Sequence, residues 1–437
     1  MGTGGIATLR NGRAPDAPEP TEIEDGRCNM AGGDGGAIYN QGVLALQDVA
    51  VRNSRAGAGA GKSTVIDPDC SPGDGPGGRG GGVFTTRSLE LTKVLFEGNA
   101  SGPGGAGIGG AGGAIYNAGG TVSATASIFS HNRAMEGGSL LNVPYRYGYF
   151  GGNGGAVANG GIFAASSVSF FDNTAGAGGT DGYGSHASGA NGGAGGALNN
   201  EATGTAAIFA STFAYNHAGE GGLSTWSGDG GSGGAISNYG QMEIVNSTIT
   251  NNAAGNGAGG AASASNGAEG ISYAGNGGSG GGIANGGTLR ISATTVTENH
   301  AGKAGATRYG DPAEDGKGGG IAAESAPVVR GLILAANVAT TDRDCSGTLD
   351  SRGYNLIGTV VGCTITGSTT GNITGRGAKL GPLADNGGGT LTHLPASNSP
   401  VLNAAICQTV DDQPLLYDQR WVQRPQGPRC DIGAVER

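Results

Sequence analysis

Five histidines, His131, His186, His217, His300 and His393, are the side chains best suited to acid–base work near neutral pH. Three of them flank an asparagine, His131 just before Asn132 and His217 and His300 just after Asn216 and Asn299. Such recurrence reads as a repeated solvent-facing corner rather than a single catalytic centre. No Gly-x-Ser-x-Gly elbow and no His-Glu-x-x-His helix accompanies them. Charge is densest at Arg87, Glu90 and Lys93 around Leu89 and Leu91, which a solvated strand face explains simply. Glycoside hydrolysis needs two carboxylates at a set separation, and no linear spacing supplies such a pair. Calcium needs clustered oxygen ligands. Asp67-Pro68-Asp69 offers two carboxylates beside Cys70 and reads as a cap turn. Gly228-Asp229-Gly230-Gly231 lacks the repeated Gly-x-Asp spacing of a calcium nonapeptide. No cofactor is expected, and Ca2+ has only this slender support.

Cys28, Cys70, Cys345, Cys363, Cys407 and Cys430 cluster towards the two ends of the 437-residue chain and form no CxxC pair. Zinc is therefore a poor reading, and disulfides stapling the ends of a long molecule a better one. Neighbours in sequence are the expected partners: Cys28 with Cys70, Cys345 with Cys363, and Cys407 with Cys430. Such bonds imply an oxidising compartment. Met1-Gly2-Thr3-Gly4-Gly5 has neither the charged nor the apolar region of a signal peptide, so an export signal is expected to be removed or to lie upstream. A net charge of −10 without a Lys/Arg run argues against nucleic acid, and no apolar stretch is long enough to span a bilayer. Oligomeric state stays open.

The elements that must hold these residues are repeats. Glycine supplies 96 residues, without the three-residue period of collagen. Aligning on Gly-Gly-x-hydrophobic gives eight anchors: Ile38, Val83, Ile115, Val157, Leu198, Ile236, Ile283 and Ile321. An asparagine follows each by 15 to 18 residues: Asn53, Asn99, Asn132, Asn173, Asn216, Asn252, Asn299 and Asn337. From the second repeat on, the third residue before the Asn is Phe96, Phe129, Phe170, Phe213, Ile249, Val296 or Leu334. Pairs two apart, such as Leu89 and Leu91 or Phe163 and Ala165, precede these and share one strand face. In the first repeat Val43, Ala45 and Ala50 take the equivalent places. Segments so rich in Gly and β-branched residues cannot sustain a helical stripe. The spacing predicts an all-β right-handed parallel β-helix in which each repeat is one coil of three short strands. The Asn column is expected to hydrogen-bond along the stack, and the Gly-Gly pairs to supply positive-φ corners.

Between each Asn and the next Gly-Gly the chain inserts roughly 15 to 30 residues, longer than most loops, leaving from one corner and so covering one flank. Trp226 and Tyr273 lie ten before their anchors, and Asp229 and Asn276 seven before. Tyr147 is also ten before its anchor, with Tyr183 and Tyr309 in neighbouring loops. Exposed aromatics interleaved with Asn and Asp suit sugar rings, which stack on aromatic faces and hydrogen-bond at their edges. The same aromatics serve equally as glue for a layer in which glycine buries little. Tyr147, Tyr183, Trp226, Asp229, Tyr273, Asn276 and Tyr309 are thus the candidate ligand-contacting residues.

Gly35-Gly-Ala-Ile-Tyr-Asn40 and the runs that follow it resemble the β-helix repeats of bacterial secreted and polymorphic outer-membrane-type proteins. Asn355-Leu-Ile-Gly358, Leu380-Gly-Pro-Leu-Ala-Asp-Asn-Gly-Gly388, Ser399-Pro-Val-Leu402, Asp418-Gln-Arg420, Arg424-Pro425 and Cys430-Asp-Ile-Gly-Ala434 resemble the choice-of-anchor Q domain. That resemblance implies an exported bacterial β-helix protein, secreted or held at the cell surface. The chain divides into an N-terminal segment (1–34), repeats with Gly-rich loops (35–342), and final coils with a disulfide-bearing cap (343–437). Asp418, Arg420, Arg424 and Asp431 are expected to pair within that cap, with Trp421 as a lid across the last coil. Two functions follow. One is a non-catalytic surface or matrix rod presenting its loops to glycans. The alternative is a polysaccharide lyase or glycoside hydrolase on the same flank. Regular columns favour the rod, whereas one unrepeated cluster of acid and base in a cleft would favour the enzyme.

Overall fold

The computed structural model describes residues 7–10, 31–60, 75–139, 148–180, 187–260, 272–307 and 312–437. Among them there is no helix. The described residues form a right-handed parallel β-helix in which ten coils can be followed. Coil 4 is representative, with strands Val157–Asn159, Ile162–Ser166 and Ser169–Phe171. Each strand pairs in register with its counterparts one coil before and after. The third strands form one continuous eleven-stranded sheet, to which Ala7–Arg10 adds the first strand.

Alternation drives Phe163 and Ala165 inward and leaves Ile162 outside. Phe96, Phe129, Phe170 and Phe213 are fully buried and stack at centroid distances of 5.0, 5.0 and 4.4 Å. The first coil departs from the expected register by one residue. Leu44, Leu46 and Val51, not Val43, Ala45 and Ala50, stand opposite Leu89, Leu91 and Phe96. Because side chains alternate, that slip puts Val43 in solvent, 84% exposed. It also moves Asn53 out of the asparagine column, whose first place is taken by Ser54.

The column itself runs buried from Asn99 to Asn337. Each amide donates to the next Oδ1 at 2.8–3.0 Å, for example Asn173 to Asn216 and Asn216 to Asn252. The same Oδ1 accepts the backbone N–H of the rung before. Asp344 ends the series, its Oδ1 accepting from Asn337 and its Oδ2 from the Thr359 N–H. A second buried ladder, Asn117, Asn159, Asn200, Asn238 and Asn285, lines the corner two residues after the anchors. At roughly 0.5–1.5 kcal/mol net per bond, these ladders hold corners that would otherwise bury unpaired backbone.

The described parts of the Gly-rich insertions form a second layer, with outgoing legs stacked on one side and returning legs on the other. In coil 4, Ala175 and Gly178 donate to the next outgoing leg, at His217 O and Glu220 O. Gly176 and Gly179 donate instead across the layer, to Gly152 O and Tyr149 O. Every third residue meets the same partner, the period of an extended helix with three residues per turn. Within each triplet one residue faces the neighbouring coil, one the opposing leg and one the solvent. Glycine is required at the second place. A Cβ on Gly219 would lie 1.8 Å from Gly176 O, and one on Gly255 1.8 Å from Gly219 O. At the Gly-Gly corners the roles divide. The first glycine adopts positive φ (Gly154, 67°), while the second makes a close approach, as Gly155 does to Gly196 O.

Cys345–Cys363 ties coil 9 to coil 10, and Cys407–Cys430 closes the cap. Cys28 and Cys70 lie outside the described residues. The cap does not close the last coil. It runs back along the outer face of the third sheet, where Thr212 donates to Leu391 O and Gln419 meets Thr212 and Thr248. Hydroxyls on that outer column supply lateral partners for the cap. Trp421 accordingly sits on coils 4 and 5, its indole N–H on Ser167 Oγ at 3.2 Å, rather than as the expected lid. Arg420 pairs with buried Asp418 at 2.8 Å, and buried Arg424 pairs with Glu436 rather than with the Asp431 carboxylate. Asp431 instead accepts the N–H groups of Asn403 and Arg437.

Candidate functional site

In coils 1 to 6 the outward residue of the first strand forms a column: Tyr39, Phe84, Tyr116, Ala158, Asn199 and Ser237. Three aromatics stack nearly parallel, at 4.9 and 5.7 Å between centroids, and then the column steps down to alanine. Beside this step the returning legs carry their own outward column, seven residues before each anchor. It is apolar in coils 2 to 4 (Pro76, Ile108, Phe150) and polar in coils 5 to 8 (Asn191, Asp229, Asn276, Glu314). Between the apolar half and Tyr116 lies an open groove of about 370 Å³.

Polar groups converge there from four coils. Arg79 is held by Asp34, Nη2 to Oδ2 at 2.8 Å, with its guanidinium 4.7 Å from the Tyr116 ring and 5.0 Å from that of Phe84. Glu201 reaches Tyr116 from two coils away across Gly160, where a Cβ would come within 2.9 Å of Glu201 Oε2. Burial pushes the Glu201 carboxyl up from its ordinary value, against the lowering influence of Tyr116 and Arg79. The Tyr116 phenol is raised by burial and by the Glu201 charge. Asn153 lines the mouth, and Ile108 and Phe150 are about half exposed. A phenol, a guanidinium, a carboxyl and an amide around an apolar wall can recognise a polyhydroxylated ring. A second hollow of about 430 Å³ lies at Tyr239, Gln241 and Thr288 and carries no charged side chain.

The residues expected to contact ligand fall elsewhere on this flank. Trp226 and Tyr273 stack at 4.0 Å, with Trp226 46% exposed. Asp229 and Asn276 lend one oxygen each to the stack. The Asp229 N–H donates to Asn191 Oδ1, the Asn276 N–H to Asp229 Oδ1 and the Glu314 N–H to Asn276 Oδ1. This meets the need of the solvent-facing N–H in each triplet, so the recurrence of polar residues at this place has a structural cause. Tyr147, Tyr183 and Tyr309 lie outside the described residues. Sequence reasoning missed Arg79, Tyr116, Phe150 and Glu201. The available signal was the run of three aromatics directly after the anchors Ile38, Val83 and Ile115, and its abrupt end.

His131, His217 and His300 are exposed at the Asn corner. His393 is buried in the cap, bonded to Gly381 O and Thr250 Oγ1. Arg87, Glu90 and Lys93 are exposed on the outer face. Among the described residues, no group of three or more His, Cys, Asp or Glu is placed to hold a metal, and Asp67 and Asp69 lie outside them. No described helix is long and apolar enough to cross a membrane.

No family profile and no curated protein matches the chain. A solved structure titled "The complex structure of XylC with xylose" aligns over 92% of this chain and 66% of its own, under two thirds of its length. Identity is 9% and the TM-score 0.29, a likeness too slight to carry an argument.

Proposed function

We propose that this chain is an exported β-helix rod that holds saccharide chains on its glycine-rich flank without cleaving them. The observation carrying the reading is the groove beside Tyr116, where an apolar wall of Ile108 and Phe150 faces Arg79, Glu201 and Asn153. The choice-of-anchor Q resemblance and the two disulfides support an oxidising, extracellular setting. The lyase or hydrolase alternative would draw on the same groove. Among its described lining residues Glu201 is the single carboxylate, one short of the pair that glycoside hydrolysis employs.

The test is retention on immobilised polysaccharides, neutral and uronic, with released reducing or unsaturated ends measured in parallel. Binding without release is expected, and Phe150→Ala should weaken it at least tenfold with an unchanged melt. Equal retention by Phe150→Ala would sink the groove, and steady release of product would establish the enzyme instead.

A further inference from the structure

On the opposite flank, where the cap ends against coils 4 and 5, three aromatic rings meet from two distant parts of the chain. Phe209 closes a second strand of the solenoid, and Tyr417 and Trp421 belong to the cap. Trp421 lies 5.4 Å from Phe209 at 53° and 6.2 Å from Tyr417 at 50°. Rings tilted at such angles do not close into a stack.

Most of the cap's seat lies away from Tyr417 and Trp421, although Phe209 also borders it. Val401, Ala405 and Ile432 pack against Ile333, Ala335 and Leu356, and Leu415 is buried against Val245 and Ala293 with Phe209 at its edge. The Tyr417 carbonyl accepts from Asn246, and Gln419 supplies the lateral hydrogen bonds. Yet Tyr417 and Trp421 remain 45% and 50% exposed. Their presentation is rigidly built. Asp418, fully buried, accepts the N–H groups of Arg420 and Val422 and is paired with the Arg420 guanidinium, closing a tight turn. At its tip Trp421 is held at φ 67°, a left-handed conformation disfavoured for a bulky side chain. The indole N–H is fixed on Ser167, which sets the ring plane.

We infer that Phe209, Tyr417 and Trp421 form a second saccharide-binding site that takes a neutral, flat pyranose. Such a ring presents a continuous C–H face to tilted aromatics, while the exposed Tyr417 hydroxyl and Gln423, opposite it in the hairpin, meet the ring edge. Among the described residues no cation lies over any of the three rings, and Arg420, beside Trp421, is committed to Asp418, so nothing there favours an acidic sugar. This site stands apart from the groove and does not depend on it.

Tryptophan emission tests the idea directly, because Trp226 and Trp421 are the two tryptophans of the chain. In the full chain carrying Trp226→Phe, emission reports Trp421 alone. Titration with cellohexaose, mannohexaose and hexagalacturonate should give saturable quenching or a blue shift with at least one neutral sugar. Tyr417→Ala should weaken that response at least tenfold while leaving the melt within a few degrees, and Phe150→Ala in the groove should leave it unchanged. No saturable response to any of the three sugars overturns the inference and leaves a protein-docking patch. A response that Tyr417→Ala does not alter overturns it as well. If Tyr417→Ala loosens the cap, Tyr417→Phe, which keeps the ring, should retain stacking and lose only part of the affinity.

Discussion

The two layers of each coil are packed by opposite means. In the β-helix proper the backbone stays at the perimeter and side chains fill the middle with period two. In the glycine layer the side chains stay at the perimeter and backbones fill the middle with period three. The first layer gains stability from apolar area, as in the Phe96–Phe213 stack. The second gains it from hydrogen bonds between chains that approach closely only because a Cβ is absent. One is sensitive to lost volume and the other to added volume.

Substitutions in the two layers should therefore fail differently. Phe170→Ala, between Phe129 and Phe213, is expected to cost roughly 3–5 kcal/mol and to lower the whole melting transition. An unchanged melt would show that the column is not the shared core. Gly219→Ala is expected to cost about 1–3 kcal/mol, the range for overpacking. Its signature is local: faster hydrogen exchange at Gly193, Gly219 and Gly231, with the β-helix amides of coil 5 still protected. Uniform exchange across both layers would mean that they open as one unit.

Asn276→Ala removes an acceptor from the solvent-exposed row of the glycine layer and is expected to change stability by no more than about 0.5 kcal/mol. A loss above about 2 kcal/mol would promote that row from trim to structure. The smallest effect concerns acid. Hydrogen bonds from Thr340, Ala304 and Lys303 hold Asp315 down at about 2 from an ordinary 3.8. A carboxylate with a lowered folded value adds stability that is present above pH 3.8 and lost as pH falls through about 2. Asp315→Asn should flatten the acid-side stability curve in that window. Curves that superimpose there would remove Asp315 from the account.

How far each layer is legible in sequence follows from its period and its partners. The Phe and Asn columns recur at a near-constant offset and announce themselves. The first coil misled because Asn53 stands one residue from the place where Ser54 sits, and a period of two turns one residue into the other face. The second Asn ladder was hidden by falling next to the anchors, where it reads as turn composition. Glu201, Gly160 and Tyr116 come from three successive coils, so no linear spacing links them. The lateral course of the cap depends on outward threonines such as Thr212 and Thr248, which resemble ordinary strand surface.

The main asparagine ladder ends on Asp344, whose carboxylate reaches it from the residue before Cys345. Every earlier rung both receives from the coil before it and hands a donor to the coil after it, so each creates a demand for one more copy of itself. A carboxylate receives and hands on nothing. The ladder therefore stops on a carboxylate brought in from the residue before Cys345, while the next asparagine place in register falls to Val360, whose side chain can pass no hydrogen bond on.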